Sequence, residues 1–384
     1  MVSTAAGVTG SPLRTVRLVL SGYYGFQNSG DEAVLQSILL ALEEQGERQG
    51  LRIEPIVLSI DPELTRRMYG VQAYHRMRYS EVSAAILSSD GLISGGGSLL
   101  QDATSAKTIP YYLGIIKLAQ LLGKPTFIYS QGVGPVNRKL FFSWIRGVFR
   151  KAAYVSVRDR ESAELLSTMG LKAPVEIVPD PVMGLPLKAP VQNHAGEASP
   201  EARRTIGVSV RFWNEDRSEL NGIAAALQRL LDEREDVAVR FLPFHLPSDE
   251  KASEYVAGKL SDAAAGRVTT ARGVTHPQDM LAEAASCDVV LGMRLHSLIY
   301  AASQKVPMVG ISYDPKIDQF LHRLGMNAAA STAAFDVESV VRECRRLLLH
   351  RDEWLKEKEA AIEELKRQAQ LPAQQICSYF RSKG

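Results

Sequence analysis

Short apolar runs rich in β-branched residues alternate with stretches of helical periodicity from one end of this chain to the other. The runs Thr15–Ser21, Arg52–Ile60, Gly91–Ser94, Pro125–Gln131, Tyr154–Val157 and Val175–Val178 predict a first series of strands. Thr205–Arg211, Val237–Pro243, Val289–Gly292 and Pro307–Ile311 predict a second. Many are apolar at successive positions, as a strand covered on both faces requires. Amphipathic stretches such as Asp31–Gln49, Ile223–Arg234 and Asp279–Ser286 predict helices between them. Strands and helices in alternation give an α/β chain with parallel, doubly wound sheets.

The pattern breaks at LPLKAPVQNHAGEASPEARR, residues 185–204, where Pro, Ala and small polar residues show no periodicity. This is linker composition. It divides the chain into a disordered tail (1–14), a Rossmann-like unit (15–184) and a second Rossmann-like unit (205–350). A charged helical segment (351–384), with Glu and Lys near i, i+4 spacing, reads as a solvated outer helix that crosses back to the first unit. Two such units place their ligand sites at the C-terminal ends of their strands, so the cleft between them is the expected site.

Composition adds mainly exclusions. Lys+Arg 45 against Asp+Glu 43 leaves a formal charge of +2, so nucleic acid is not the expected partner and any basic site is local. Three scattered cysteines, Cys287, Cys344 and Cys377, fit a reducing compartment and form no metal motif. No apolar stretch approaches the length of a membrane span, and the N-terminus lacks a signal h-region. The expectation is a soluble, cytoplasmic enzyme without a cofactor or metal.

Chemistry gathers where strands end. The first strand runs into SGYYGFQNSGDEAVL, where glycines punctuate a loop and Asn28, Ser29 and Asp31 open a helix. Ser29 or Asp31 could serve there simply as an N-cap. The third strand ends in GLISGGGSLLQD, and three successive glycines suit a close approach to a ligand or another backbone. YSQGVGPVNRK is a third polar, glycine-rich strand end. Together these offer a sugar-like acceptor pocket, with Asn28, Gly30, Gly96, Gly97, Gln101, Gln131 and Arg138 as candidate contacts.

The second unit is more pointed. Its strand ends carry Arg211, His245, Arg294 with His296, and Lys316. In a doubly wound domain these ends share one sheet edge, so two arginines, a lysine and two histidines converge beside a helix N-terminus. That combination suits a small, doubly anionic ligand. Individually, such an Arg or His is as well explained by a surface ion pair or a structural hydrogen bond.

In order along the chain, GYYGFQNSGDE, SGGGSLLQD, SQGVGP, VSVRFW and GMRLHS resemble the polysaccharide pyruvyl transferase family. They look closest to the branch that modifies cell-wall polymers anchoring bacterial surface-layer proteins. The resemblance implies a GT-B-like fold, phosphoenolpyruvate as donor, a lipid-linked N-acetylmannosamine-containing saccharide as acceptor, and a 4,6-pyruvate ketal as product. It carries Arg211, Arg294 and His296 over to donor binding, with Lys316 placed by its position after Tyr313-Asp314-Pro315. His296 is the expected general acid and Asp31 the expected base.

The stretch Asn137–Lys151 adds a candidate membrane contact. Leu140, Phe141, Trp144, Ile145, Val148 and Phe149 can share a helical face, with Lys139, Arg146, Arg150 and Lys151 around it. A core helix with charged flanks fits the same pattern. Two other functions fit the layout: a nucleotide-sugar glycosyltransferase or epimerase, and a non-catalytic glycan-binding protein.

Overall fold

A computed structural model describes residues 13–103, 105–188 and 203–383. Residues 1–12 of the expected tail and 189–202 of the expected linker lie outside the described residues. The first sheet contains β1 (Arg14–Ser21), β2 (Leu51–Ser59), β3 (Gln72–His75), β4 (Gly91–Gly95), β5 (Thr126–Gln131), β6 (Tyr154–Val157) and β7 (Glu176–Ile177). The second contains β8 (Arg204–Ser209), β9 (Val237–Phe241), β10 (Val268–Thr270), β11 (Val289–Gly292), β12 (Met308–Ser312) and β13 (Ala330–Ser331).

Spatial order is β3-β2-β1-β4-β5-β6-β7 in one sheet and β10-β9-β8-β11-β12-β13 in the other. The pairings are parallel throughout. Central strands are apolar on both faces; β4 and β11 are buried at every position. Three strands were not expected from the sequence: β3, β10 and β13. All are sheet edges of two to four residues, partly exposed, and so carry no apolar run to betray them.

Each sheet reverses its winding once, between β1 and β4 and between β8 and β11. Those switch points are where a doubly wound sheet opens a crevice at its carboxyl edge. The two halves are joined tightly there. Ser29 N donates to Phe244 O at 2.8 Å, and the Tyr300 hydroxyl, from helix Leu295–Ser303, bonds Ser29 Oγ at 3.0 Å and Ser29 O at 2.9 Å. The start of helix Ser29–Arg48 is thereby clamped to the second sheet.

The charged C-terminal segment is two helices, Arg351–Ala369 and Leu371–Arg381. It is not simply solvated, because Trp354, Ile362 and Leu365 are buried on the first and Ile376, Cys377 and Phe380 on the second. Phe380 packs against Phe127 of β5, with ring centroids 5.6 Å apart, and its carbonyl accepts from Arg14 Nη1 at 2.8 Å. The last helix therefore closes onto the first sheet.

Candidate active site

A cavity of about 340 Å³ lies between the two switch points. Its lining includes Arg211, Arg294, His296, Tyr313 and Lys316 from the second half, and Tyr23, Asn28, Asp31, Gly97, Ser98, Gln101, Thr108, Tyr112 and Arg158 from the first. Strands β1, β4, β6, β8, β11 and β12 all end at this space.

Arg211 follows β8 on a loop held by Glu219. That buried carboxylate accepts from Trp213 N at 3.0 Å and Asn214 N at 3.3 Å. Arg211 Nη1 donates to the Tyr313 hydroxyl at 2.9 Å, and the guanidinium lies 5.2 Å from the Trp213 ring and 4.9 Å from the Tyr313 ring. Its Nε is buried without a hydrogen-bond partner, and no carboxylate pairs with it among the described residues. A guanidinium held by aromatic faces keeps its charge available to an anion.

Arg294 sits at the N-cap of helix Leu295–Ser303. The fully buried Asp249 grips it, accepting from Nε at 2.9 Å and also from Nη2. Asp249 also accepts from His245 N at 3.0 Å, which locks the end of β9 to the end of β11. Lys316 enters at the start of helix Pro315–Arg323, its Nζ 3.0 Å from Asp314. Arg158 follows β6, donates to Ser98 Oγ at 2.8 Å, and lies 3.3 Å from Asp159.

His296 is held between two acids. Its Nε2 lies 3.7 Å from Asp180 Oδ2, and both atoms are buried without a hydrogen-bond partner. Its other ring nitrogen lies over Gly30, where a Cβ would stand 2.1 Å from Nδ1, so only glycine leaves the ring its place. Burial presses the Asp180 carboxyl upward, but the His296 imidazole and the Arg158 guanidinium outweigh it and hold it below the usual carboxylate range. On the other side, burial pushes Asp31 up to about 6; Asp180 adds to the rise, while His296, Arg158 and Lys316 oppose it.

The cap of helix Ser29–Arg48 is Asn28, whose side chain accepts from Gly30 N at 3.1 Å. Neither Ser29 nor Asp31 is the cap, and Asp31 reaches the cavity instead. Of the residues singled out by sequence, Arg211, Arg294, His296, Lys316, Asp31, Asn28, Gly97 and Gln101 converge on this space. Others do not line it. Gly96, at φ +61, turns against Val34 of the helix, a packing constraint and not a ligand approach. Gln131 is buried behind the wall, accepting from Ser94 Oγ at 3.1 Å. Arg138 is exposed, and its backbone N–H bonds Asp102 at 2.9 Å. His245 bridges to Asn28 through its backbone, and burial together with the Arg294 guanidinium lowers its pKa from the usual imidazole range.

Arg158, Asp180, Asp249 and Tyr23 were not singled out by sequence. Arg158 and Asp180 follow β6 and β7, so the strand-end argument, extended to those strands, reaches both. Asp249 had no local signal.

The helix Leu140–Phe149 also departs from the apolar face drawn from sequence. Phe141, Ile145, Val148 and Phe149 are core, leaving Leu140 and Trp144 exposed. A larger open hollow of about 550 Å³ beside β2 gathers mixed charges such as the Arg17–Glu54 pair at 3.1 Å, with no convergence of one sign. Among the described residues, no helix is long and apolar enough to cross a membrane.

A sequence model of the polysaccharide pyruvyl transferase family matches residues 28–315. No curated protein matches the chain. The fold is similar to UDP-GlcNAc 2-epimerase from Methanocaldococcus jannaschii, with TM-score 0.61 and 13% identity over 87% of this chain and 92% of that one. It is similar also to UDP-GlcNAc 2-epimerase from Neisseria meningitidis (0.59, 9%, covering 94% and 99%). A glycosyltransferase from Rickettsia africae gives 0.59 at 11% identity, covering 94% and 96%. At these identities the likeness concerns the fold, a GT-B-like pair of parallel-sheet domains.

Proposed function

The chain belongs to the polysaccharide pyruvyl transferase family and is a transferase of pyruvyl groups to polysaccharide; from that premise we propose phosphoenolpyruvate as its donor. The acceptor is a lipid-linked, N-acetylmannosamine-containing saccharide, and the product a 4,6-pyruvate ketal for secondary cell-wall polymer synthesis. The observation that carries the donor assignment is Arg211, a guanidinium without a carboxylate partner among the described residues, facing the same cavity as Arg294, Lys316 and Arg158. Phosphoenolpyruvate presents a phosphate and a carboxylate a few ångströms apart, and four cations at fixed angles match both.

In this reading His296, facing the Asp180 carboxylate, delivers a proton to C3 of the enol, and C2 becomes electron-poor. One acceptor hydroxyl adds to C2, and its proton passes to Asp31. The second hydroxyl then forms the other C–O bond as the C2–O bond to phosphate breaks. Arg211, Arg294 and Lys316 take up the charge on the departing phosphate. The second hydroxyl's proton leaves with phosphate and the proton on Asp31 returns to His296, so the net reaction puts one proton on the new methyl group and one on phosphate and balances without a cofactor.

A lipid-linked acceptor requires contact with a bilayer, and we assign that contact to residues 137–151. Leu140 and Trp144 are exposed there beside Lys139, Arg146, Arg150 and Lys151. This sets the enzyme on the inner face of the cell membrane. Failure to sediment with anionic vesicles overturns the contact. Phosphate release from phosphoenolpyruvate in the presence of a synthetic lipid-linked disaccharide tests the reaction itself. Thermal stabilisation by UDP-sugars and not by phosphoenolpyruvate would overturn it in favour of nucleotide-sugar chemistry.

A further inference from the structure

We propose that Tyr300 is a positioning residue for the reaction: by holding Ser29 across the joint between the halves, it fixes how the His296 ring stands against the Asp31 carboxyl. The inference rests on the reading above in taking His296 and Asp31 as acid and base.

Ser29 is bonded to the second half through all of its polar groups. Its N–H donates to Phe244 O at 2.8 Å, and its carbonyl accepts from the Tyr300 hydroxyl at 2.9 Å. Its own hydroxyl stands 3.0 Å from the same tyrosine oxygen. A phenol has one proton and two lone pairs. With that proton given to Ser29 O, the serine hydroxyl donates to the phenol oxygen, and neither proton is left over. Both residues are buried, and burial holds the Tyr300 hydroxyl well above the ordinary phenol range, so it keeps the proton it donates.

The joint carries the reacting groups directly. His296 and Tyr300 stand one turn apart on helix Leu295–Ser303, so their side chains leave the same face. Opposite them lie consecutive residues, Gly30 at the His296 ring and Ser29 at the Tyr300 hydroxyl. Asp31 comes next in the chain and reaches the cavity beside Gly97, where a Cβ would stand 3.2 Å from Asp31 Oδ1. Two neighbouring rungs thus set an acid from one half against a base from the other.

A tyrosine is not needed here to fill space. Its ring meets Phe244 edge-on, with centroids 5.0 Å apart, a contact that phenylalanine would keep. Apolar packing is non-directional and tolerates small slips between layers. The paired hydroxyls are directional, and they fix one register of the two halves. Their contribution is aim.

The test uses the full chain and follows phosphate release from phosphoenolpyruvate with a synthetic lipid-linked disaccharide. Tyr300→Phe should lower kcat on the order of thirtyfold, with KM for phosphoenolpyruvate within about twofold of wild type, as expected when reacting groups are slightly misplaced. In a His296→Ala background the same change should cost nothing further, because the placement it sets no longer matters. Ser29→Ala spares the carbonyl bond and should cost about threefold in kcat; it carries the test if Tyr300→Phe does not fold. Unchanged kcat in these variants overturns the proposal. So does a rise in KM that matches the fall in kcat, or an additive loss beside His296→Ala, either of which marks Tyr300 as a general support of the fold. Near-normal turnover in His296→Ala alone sinks the role given above to the histidine, and the positioning claim with it. Full activity of Tyr300→Phe beside a disabled His296→Ala sinks Tyr300 alone.

Discussion

The two walls of the cleft are built on the same plan and carry opposite chemistry. On each, residues stand at the carboxyl ends of parallel strands beside a switch point. The second half presents Arg211, Arg294, His296 and Lys316; the first presents Tyr23, Ser98, Thr108 and Tyr112. The charged wall is also the more heavily supported. Buried Asp249 holds Arg294, buried Glu219 holds the loop after Arg211, and buried Asp180 faces His296. Such support is expected where a charge must be kept desolvated and aimed, because a misplaced buried ion costs several kcal/mol. The neutral wall relies on ring stacking and backbone constraint. Two residues cross the division. Arg158 reaches over from β6, and Asp31 sits opposite His296.

The contrast can be broken most forcefully at Arg211. Arg211→Ala should lower kcat/KM for phosphoenolpyruvate on the order of a thousandfold and abolish thermal stabilisation by it, with disaccharide binding unchanged. Loss of disaccharide binding as well would show that the walls are not independent.

His296→Ala comes next, with turnover expected to fall about a hundredfold or more. Asp180→Asn should cost about tenfold in kcat and little in KM. In a His296→Ala background it should cost nothing further, because it acts only through the ring. An additive loss would mean that Asp180 merely supports the fold.

The smallest effect concerns pH. Asp31, with its carboxyl pushed up to about 6, is ionised above that value and protonated below it. A base works only when unprotonated, so kcat should decline as pH falls through about 6. In Asp31→Asn that limb should vanish from the profile while the lower residual rate becomes flat. Persistence of the limb would move the base elsewhere.

Much of the charged wall was legible in the chain. Arg211, Arg294, His296 and Lys316 each follow a strong apolar strand, and topology alone sends all such ends to one edge. The first half's wall was read less well. Gly96 and Gln131 looked like ligand contacts but serve packing, since glycine and amide residues mark tight backbone as readily as a binding site. Tyr23 was hidden beside Tyr24, because nothing local separates a tyrosine aimed at a cleft from one aimed at a core.

The alternation of central strands with helices, the doubly wound architecture and the site's edge were determined by the sequence itself, because apolar runs and helical periods are local and their packing has few solutions. Tertiary structure alone decided the pairings that give those residues their chemistry. His296 meets Asp180 and Arg294 meets Asp249 across 116 and 45 positions, respectively, through the docking of separate elements. No periodicity records such distances, for they follow from how whole layers settle against one another.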